Sequence, residues 1–197
     1  MSTLRTGMLV AALGAGLAGL LASDAVTIGA TPAAGDAAPA SRPAAPRAAW
    51  TEVKWPFLLD QWGTGRAFRC RAADCGADID LYLRAKLGFC NCTTGVADDA
   101  ELDRVGDLEL FSDKFEGLTD GRPVVVHWMK GRSRPYQVTV PYEPPRMAVA
   151  IAFNDKCDVV VATVLADRER LAVAERAALD FLNGDLVLRW AERELGL

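Results

Sequence analysis

Residue types that enzymes often use for catalysis are scarce in this chain. Its 197 residues contain one histidine, His127, and the only serines after residue 49 are Ser112 and Ser133. Neither serine stands in the G-x-S-x-G motif of a hydrolase nucleophile. The sequence has no P-loop, and Gly63-Thr64-Gly65 lacks the third glycine of a dinucleotide-binding motif. A C-x-x-C-H haem-attachment motif is also missing. We therefore expect a binding or accessory module rather than an enzyme.

Basic residues are outnumbered as well. The chain has 22 Lys and Arg against 26 Asp and Glu, a net charge of −4, and the part after residue 49 carries −5. An acidic domain has no overall electrostatic attraction for nucleic acid or anionic lipid. We expect an unknown protein or small-molecule partner and no nucleic acid, with membrane contact only through the N-terminal segment.

Residues 1–25 have the pattern of a bacterial export signal. Arg5 is the only charge before Asp24, and residues 6–23 form an uncharged stretch rich in Leu and Ala. Small residues at 23 and 25 suit cleavage after residue 25. The alternative is a retained membrane anchor, although a spanning helix usually needs about 20 apolar residues. Both interpretations predict a periplasmic or extracellular protein, tethered to the inner membrane by residues 6–23 if they are retained.

Residues 26–49 are rich in Ala and Pro and have no large apolar side chain from position 30 onward. Such a segment has little to bury, so it predicts a disordered linker. A single globular domain is then expected over 50–197. It opens with four closely spaced aromatic residues, which we expect to brace the domain surface, with an aromatic binding platform as the alternative: Trp50, Trp55, Phe57 and Trp62.

Alternating and continuous apolar runs predict three hairpins in the domain. The first is cysteine-rich, and the second turns at the Gly-containing, basic segment 130–134. The strand pairs are 67–71 with 79–84, 123–129 with 135–140, and 147–153 with 157–165. Segments 148–153 and 159–164 are so uniformly apolar that they predict central strands covered on both faces. A capped helical turn is expected at 98–102, and a further short strand at 108–111.

The C-terminus changes to a helical period. Leu171, Ala174, Ala178 and Phe181 recur at intervals of three and four, and Asn183-Gly184 suits the end of that helix before a second one begins. Hairpins followed by a helical pair predict an α+β domain, with an antiparallel sheet of hairpins and the C-terminal helical pair packed on it.

Five cysteines carry most of the functional information. Cys70, Cys75, Cys90 and Cys92 follow a C-x4-C-x14-C-x-C spacing, which in an exported protein indicates disulfides. Sequence leaves three connectivities open: 70–92 with 75–90, 70–90 with 75–92, or a local 70–75 bridge that leaves 90 and 92 to pair across one residue. Cys157, which opens an apolar strand, is expected to be a buried free thiol.

The alternative function is metal handling or thiol-redox chemistry at Cys70, Cys75, Cys90 and Cys92. Four thiolates suit Zn or Cu(I), whereas the preferred interpretation requires no cofactor. A further hypothesis pairs Cys157 with His127 as nucleophile and base. Alternating Asp74, Asp78 and Asp80 invite a calcium site, but a solvated acidic face fits their spacing better.

Overall fold

A computed structural model describes residues 49–139 and 146–197. The predicted export segment 1–25, and the predicted linker 26–49 apart from its last residue, lie outside the described residues. Within the described ranges, no helix combines the length and the apolar character that crossing a membrane requires.

An antiparallel sheet forms the centre of the domain. Along the chain the described strands are β1 Thr51–Val53, β2 Arg66–Cys70, β3 Ile79–Lys86, β4 Phe115–Gly117, β5 Arg122–Val126, β6 Met129–Val138, β7 Arg146–Asp155 and β8 Asp158–Ala166. Their order across the sheet is β1-β2-β3-β8-β7-β6, and the outer side of β6 pairs with both β4 and β5. The helices are α1 Ala72–Cys75, α2 Asp99–Val105, α3 Leu171–Leu182 and α4 Asp185–Leu195, with 3-10 turns at Leu108–Leu110 and Arg168–Arg170. The predicted α+β class is confirmed.

The two most apolar strands, β7 and β8, pair with each other near the middle of the sheet, as predicted. Val149, Ile151 and Phe153 belong to the hydrophobic core beneath α3 and α4, which we call the α3–α4 face. Ala148 and Ala150 alternate with them and belong to the core beneath α2, which we call the α2 face. Because both faces are covered, these strands read as continuous apolar runs instead of alternating ones.

The C-terminal helical pair forms as its apolar spacing predicts. Ala174, Ala178 and Leu182 of α3 are fully buried, as is Ala191 of α4. Asn183 ends α3, and its Nδ2 donates to the carbonyl of Leu179 at 2.9 Å. The small residues on α3 let the helix lie close to the sheet, which is how a narrow alanine stripe becomes part of the core.

The aromatic segment that opens the domain wraps around one edge of the sheet. Trp50 stacks on Phe181 of α3, with ring centroids 4.7 Å apart. Beyond the edge strand β1, Phe57 packs against Tyr82 and Phe111 on the α2 face, at 5.2 and 5.0 Å. Each contact joins this segment to a different face, so these aromatics brace the domain as expected.

The second predicted hairpin turns at a different place. β5 and β6 are joined by His127 and Trp128, and the basic segment 130–134 lies inside β6. Gly131 is a close-packing glycine and not a turn residue, because a Cβ there would lie 2.0 Å from the carbonyl oxygen of Ala152. The expected basic hairpin tip is therefore wrong.

Two smaller elements also differ from expectation. Residues 108–110 form a 3-10 turn and not a strand. The turn follows directly after the ion-paired Asp107, and it places the side chain of Leu108 in the core. The predicted turn after β2 contains the single helical turn α1. The helical turn expected near 98–102 is longer, reaching Val105, and the side chain of Asp98 caps it by accepting from the backbone N–H of Glu101 at 2.8 Å.

Candidate functional site

The described cysteines form two disulfides of different character. Cys70 and Cys75 are bridged with their Cα atoms 6.0 Å apart, and Cys92 and Cys157 with theirs 4.2 Å apart. Cys90 remains a free thiol. The prediction that Cys157 is the free thiol is therefore wrong, and so is the prediction that Cys90 forms a disulfide.

The reason is a strand pairing between distant parts of the chain. β3 pairs with β8, with Lys86 opposite Val159, so the loop after β3 runs alongside the β7–β8 turn that contains Cys157. Only the four cysteines that lie close together along the chain were expected to pair. The signal that could have found this bridge is the position of Cys157 at a predicted hairpin end.

The Cys70–Cys75 bridge is the local option among the three connectivities. The single turn of α1 brings Cys75 back toward the end of β2. Cys70 is fully buried and Cys75 nearly so, and both belong to the core on the α3–α4 face. This bridge is a cross-link inside the core.

The four cysteines of the alternative metal or redox site do not form one cluster. Cys70 and Cys75 pack on the α3–α4 face, whereas Cys90 packs on the α2 face. In the described ranges, no three His, Cys, Asp or Glu side chains are grouped as metal ligands would be. What the fold brings together instead is Cys90, Cys92 and Cys157, which we call the cysteine corner.

The cysteine corner places a buried thiol beside an accessible disulfide. The backbone N–H of Cys90 donates to the carbonyl of Cys157 at 3.0 Å, and Cys90 Sγ lies 3.3 Å from the carbonyl oxygen of Lys156. Cys90 is 6 % exposed, whereas Cys92 is exposed and Cys157 is half-buried. An outside reagent therefore meets the disulfide before it meets the thiol.

Besides the disulfide and the Cys90–Cys157 backbone bond, further hydrogen bonds attach the loop that carries Cys90 and Cys92. The backbone N–H of Gly88 donates to Asp158 Oδ1 at 2.6 Å, and that of Val96 to Asn154 Oδ1 at 3.1 Å. From α2, Arg104 Nη2 donates to the carbonyl of Phe89 at 2.8 Å. The loop thus has supports that remain when the Cys92–Cys157 bond opens.

Asn91, between the two loop cysteines, holds the local turn. Its Oδ1 accepts from the backbone N–H groups of Thr93 and Thr94, at 2.9 and 3.1 Å. Its own N–H donates to Glu101 Oε1 at 2.8 Å. An asparagine side chain that accepts from the following backbone fixes a turn by itself, so the chain direction at Cys92 is set without the bridge.

The surroundings of Cys90 favour its neutral form. Burial raises the pKa of the thiol to about 11, and the carboxylates of Glu101 and Asp158 push it the same way. Arg104 opposes them weakly. Since only the thiolate is a nucleophile, Cys90 is held unreactive near neutral pH.

An aromatic and cationic cluster lies next to the corner. Trp62 packs against Phe89 with centroids 4.5 Å apart, and Lys86 Nζ lies 5.7 and 5.4 Å from the two ring centroids. Lys86 Nζ also lies 2.8 Å from Asp107 Oδ1. Burial lowers the pKa of Lys86, and the Asp107 carboxylate partly offsets this effect. This cluster holds the aromatic segment against the loop that carries Cys90.

The other candidate residues proposed from the sequence lie in turns or ion pairs. His127 is the first residue of the two-residue β5–β6 turn, with φ 54°, and its N–H donates to Asn183 Oδ1 at 2.8 Å. The hypothesis of a Cys157–His127 pair does not fit, because Cys157 is bonded to Cys92. Among the alternating aspartates, Asp80 pairs with Arg69 at 2.7 Å.

Comparison with known proteins adds little to these observations. No protein-family model matches the chain. The search of curated proteins gave no match either. Among solved structures, the chain is similar to the solution structure of cyanobacterial PsbP (CyanoP) from Synechocystis sp. PCC 6803. The two are 13 % identical over 68 % of this chain and 78 % of that chain, with a TM-score of 0.41. The α+β assignment rests on the strands and helices described above.

Proposed function

We propose that the protein is an exported, disulfide-stabilised accessory module that works outside the cytoplasm by binding a protein or small-molecule partner. The single observation that supports this most strongly is the Cys70–Cys75 bridge inside the core on the α3–α4 face. Disulfides of this kind persist in oxidising compartments and are rare in the cytosol. The uncharged segment 6–23 is consistent with the same location.

The Cys70–Cys75 bridge stabilises the end of β2. A cross-link that closes so short a loop contributes about 2 kcal/mol by restricting the unfolded chain. Both sulfurs belong to residues that are at most 8 % exposed, so soluble reductants reach them only when the core opens. We therefore assign this bridge to stability and not to chemistry.

The test is the intact mass of the full chain purified from the periplasm of an expressing bacterium. The protein is denatured and alkylated, with and without prior reduction. We expect one alkylated cysteine without reduction, five after it, and a mass that begins near residue 26 if the signal is cleaved. Five alkylated cysteines without reduction, or protein found only in the cytoplasm, would contradict the proposal.

A second candidate function is thiol–disulfide exchange at the cysteine corner. The observation that favours it is the exposed Cys92 in a disulfide whose loop is attached by other hydrogen bonds. Exposed disulfides are typically the labile ones, and buried ones resist reduction. The two bridges of this protein would then have separate tasks.

The reaction at the corner would begin at the accessible sulfur. A thiolate of a dithiol partner attacks Cys92 Sγ, forms a mixed disulfide with it and expels Cys157 as a thiolate. The partner's second thiolate then attacks the partner sulfur of that mixed disulfide and releases Cys92 as a thiolate. The partner dithiol is oxidised to a disulfide by two electrons, and the Cys92–Cys157 bridge is reduced by two.

Selective reduction tests this second function. The folded protein is equilibrated with increasing reduced glutathione, quenched with acid, alkylated and mapped by mass spectrometry. We expect Cys92 and Cys157 to be alkylated at glutathione concentrations that leave Cys70 and Cys75 bridged. If the two bridges open together and only on unfolding, the exchange function is wrong while the accessory role is unaffected.

A further inference from the structure

We propose that Cys90 is a resident exchanging thiol of the cysteine corner, so that Cys157 pairs either with Cys92 or with Cys90. The second pairing frees Cys92 as a solvent-exposed nucleophile for a disulfide in a partner protein. The inference deepens the second candidate function and rests on it. It adds the identity of the internal thiol and the substrate class, a protein disulfide that is rearranged.

The backbone geometry supports both pairings. Cys90 and Cys157 are joined by a backbone hydrogen bond of 3.0 Å. The covalent geometry on either side of this single bond places the two Cα atoms at most about 6.5 Å apart. Most disulfides span about 4.4–6.8 Å between Cα atoms. Cys90 therefore lies at bridging distance from the cysteine that already pairs with Cys92.

The side chain of Cys90 points toward the same turn. Its Sγ lies 3.3 Å from the carbonyl oxygen of Lys156, the residue directly before Cys157. Lys156 has φ 52°, as tight two-residue hairpin turns require, so Cys157 sits in a sharply reversed segment of chain. The Cys90 sulfur therefore lies against the turn that carries the Cys92–Cys157 disulfide.

The exchange step balances without an outside oxidant. The Cys90 thiolate attacks Cys157 Sγ, forms the Cys90–Cys157 bond and expels Cys92 as a thiolate. One disulfide breaks as another forms, and the proton that Cys90 releases is taken up by Cys92 or by water. The number of free thiols stays at one, but the thiol moves from the buried loop residue to the exposed one.

The exposed thiol can then act on a partner. The Cys92 thiolate attacks a partner disulfide, forms a mixed disulfide with one partner sulfur and releases the other as a thiolate. A different partner thiolate then attacks the mixed disulfide, forms a new partner disulfide and returns Cys92. The partner exchanges one disulfide for another, and no net oxidation or reduction occurs.

The groups around Cys90 restrain this exchange. Glu101 and Arg104 face it from α2, and Asp158 faces it from β8. The two carboxylates disfavour the thiolate, as does burial, whereas Arg104 favours it. The exchange is therefore expected to speed up about tenfold per pH unit while the thiolate fraction remains small.

The first test is the variant Cys92→Ser, in which Cys157 has lost its partner. The variant is purified from the periplasm and mapped as non-reduced peptides. We expect a Cys90–Cys157 disulfide and no free cysteine. If Cys90 and Cys157 are both alkylated in a folded Cys92→Ser protein with an unchanged circular dichroism spectrum, the proposal is wrong.

The second test uses the unmodified chain and does not depend on that variant's folding. The folded protein is alkylated with iodoacetamide at pH 7 and pH 9 and then mapped. We expect the label on Cys92, entering roughly one hundred times faster at pH 9, and no label in the matched variant Cys90→Ser. Label on Cys90 itself would overturn the proposal. Failed reduction by glutathione, with label on Cys92 here, would overturn the partner-dithiol reaction alone.

Discussion

Arg84 and Asp107 form a two-point ion pair between the sheet and the segment after α2. Arg84 Nε donates to Asp107 Oδ2 at 3.0 Å, and Nη2 donates to Oδ1 at 2.5 Å. The side chains are 4 % and 7 % exposed. Lys86 shares the same carboxylate, and Asp60 accepts from Arg84 Nη1 at 2.6 Å, so two buried cations face two carboxylates.

We expect Asp107→Asn to lower the free energy of unfolding by about 3 kcal/mol, because it leaves two buried cations with one carboxylate. Urea denaturation at neutral pH measures the change. The control is Glu52→Gln, which removes the partner of Arg66 in a pair whose carboxylate is 51 % exposed. That change should cost less than about 1 kcal/mol. Equal losses of stability in the two variants would show that burial does not strengthen the ion pairs of Asp107.

Gly131→Ala is expected to destabilise the sheet by roughly 3 kcal/mol or more, because the added Cβ meets strand backbone that cannot move aside. The nearest atoms would be the carbonyl oxygen of Ala152 at 2.0 Å and the Cα of Phe153 at 2.7 Å. Gly63→Ala is the control, since its Cβ meets nothing within 4 Å and only the positive φ of 76° is strained. That strain costs about 1–2 kcal/mol. Thermal unfolding of both variants separates the clash from the backbone effect.

Phe57→Ala should lower stability by roughly 1–3 kcal/mol, because it removes ring contacts to Trp55, Tyr82 and Phe111. The adjacent Leu58 is 90 % exposed, so Leu58→Ala should change stability by no more than about 0.5 kcal/mol. Chemical denaturation compares the two. A larger effect for Leu58→Ala would mean that the segment does not brace the α2 face.

Acid should weaken the attachment of the loop that carries the cysteine corner. The hydrogen bond from Arg104 lowers the pKa of Glu101 below its ordinary 4.5, and the N–H of Asn91 acts in the same direction. A carboxylate with a lowered folded-state pKa contributes stability above about pH 4.5, and this contribution is lost as pH falls through the folded-state value. We expect the stability of the unmodified protein to fall more steeply below pH 4.5 than that of Glu101→Gln. Parallel curves in urea titrations from pH 6 to pH 3 would contradict this.

Local sequence patterns correctly predicted the helices and strands that a helical spacing or a run of apolar residues identifies by itself. The β7–β8 hairpin and the α3–α4 pair belong to this group, because apolar runs and spacings of three and four depend on nearby residues. The β5–β6 turn was misplaced because Gly131 looks the same in sequence whether it serves a turn or a close contact. Only the position of Ala152 on the neighbouring strand distinguishes the two.

The pairing in the cysteine corner was missed for a related physical reason. Cys92 and Cys157 are 65 positions apart and meet because β3 pairs with β8. The sequence of a strand does not specify which strand it pairs with, because many half-buried strands could pair with it. The same holds for Arg132, which looked like part of a basic tip but pairs with Asp99 of α2.

The stack of Trp50 on Phe181 fixes an order of events during folding. The first aromatic residue of the domain can reach its place only after α3, close to the other end of the chain, has been made. Contacts of such large sequence separation slow folding, because the loop between them must be closed first. Until then β1 is held to β2 without the stacked tryptophan, and wherever it detaches, the outer side of β2 becomes an edge that can pair with other chains. The N-terminal edge of the sheet is therefore secured late in folding, after the C-terminal helices are in place.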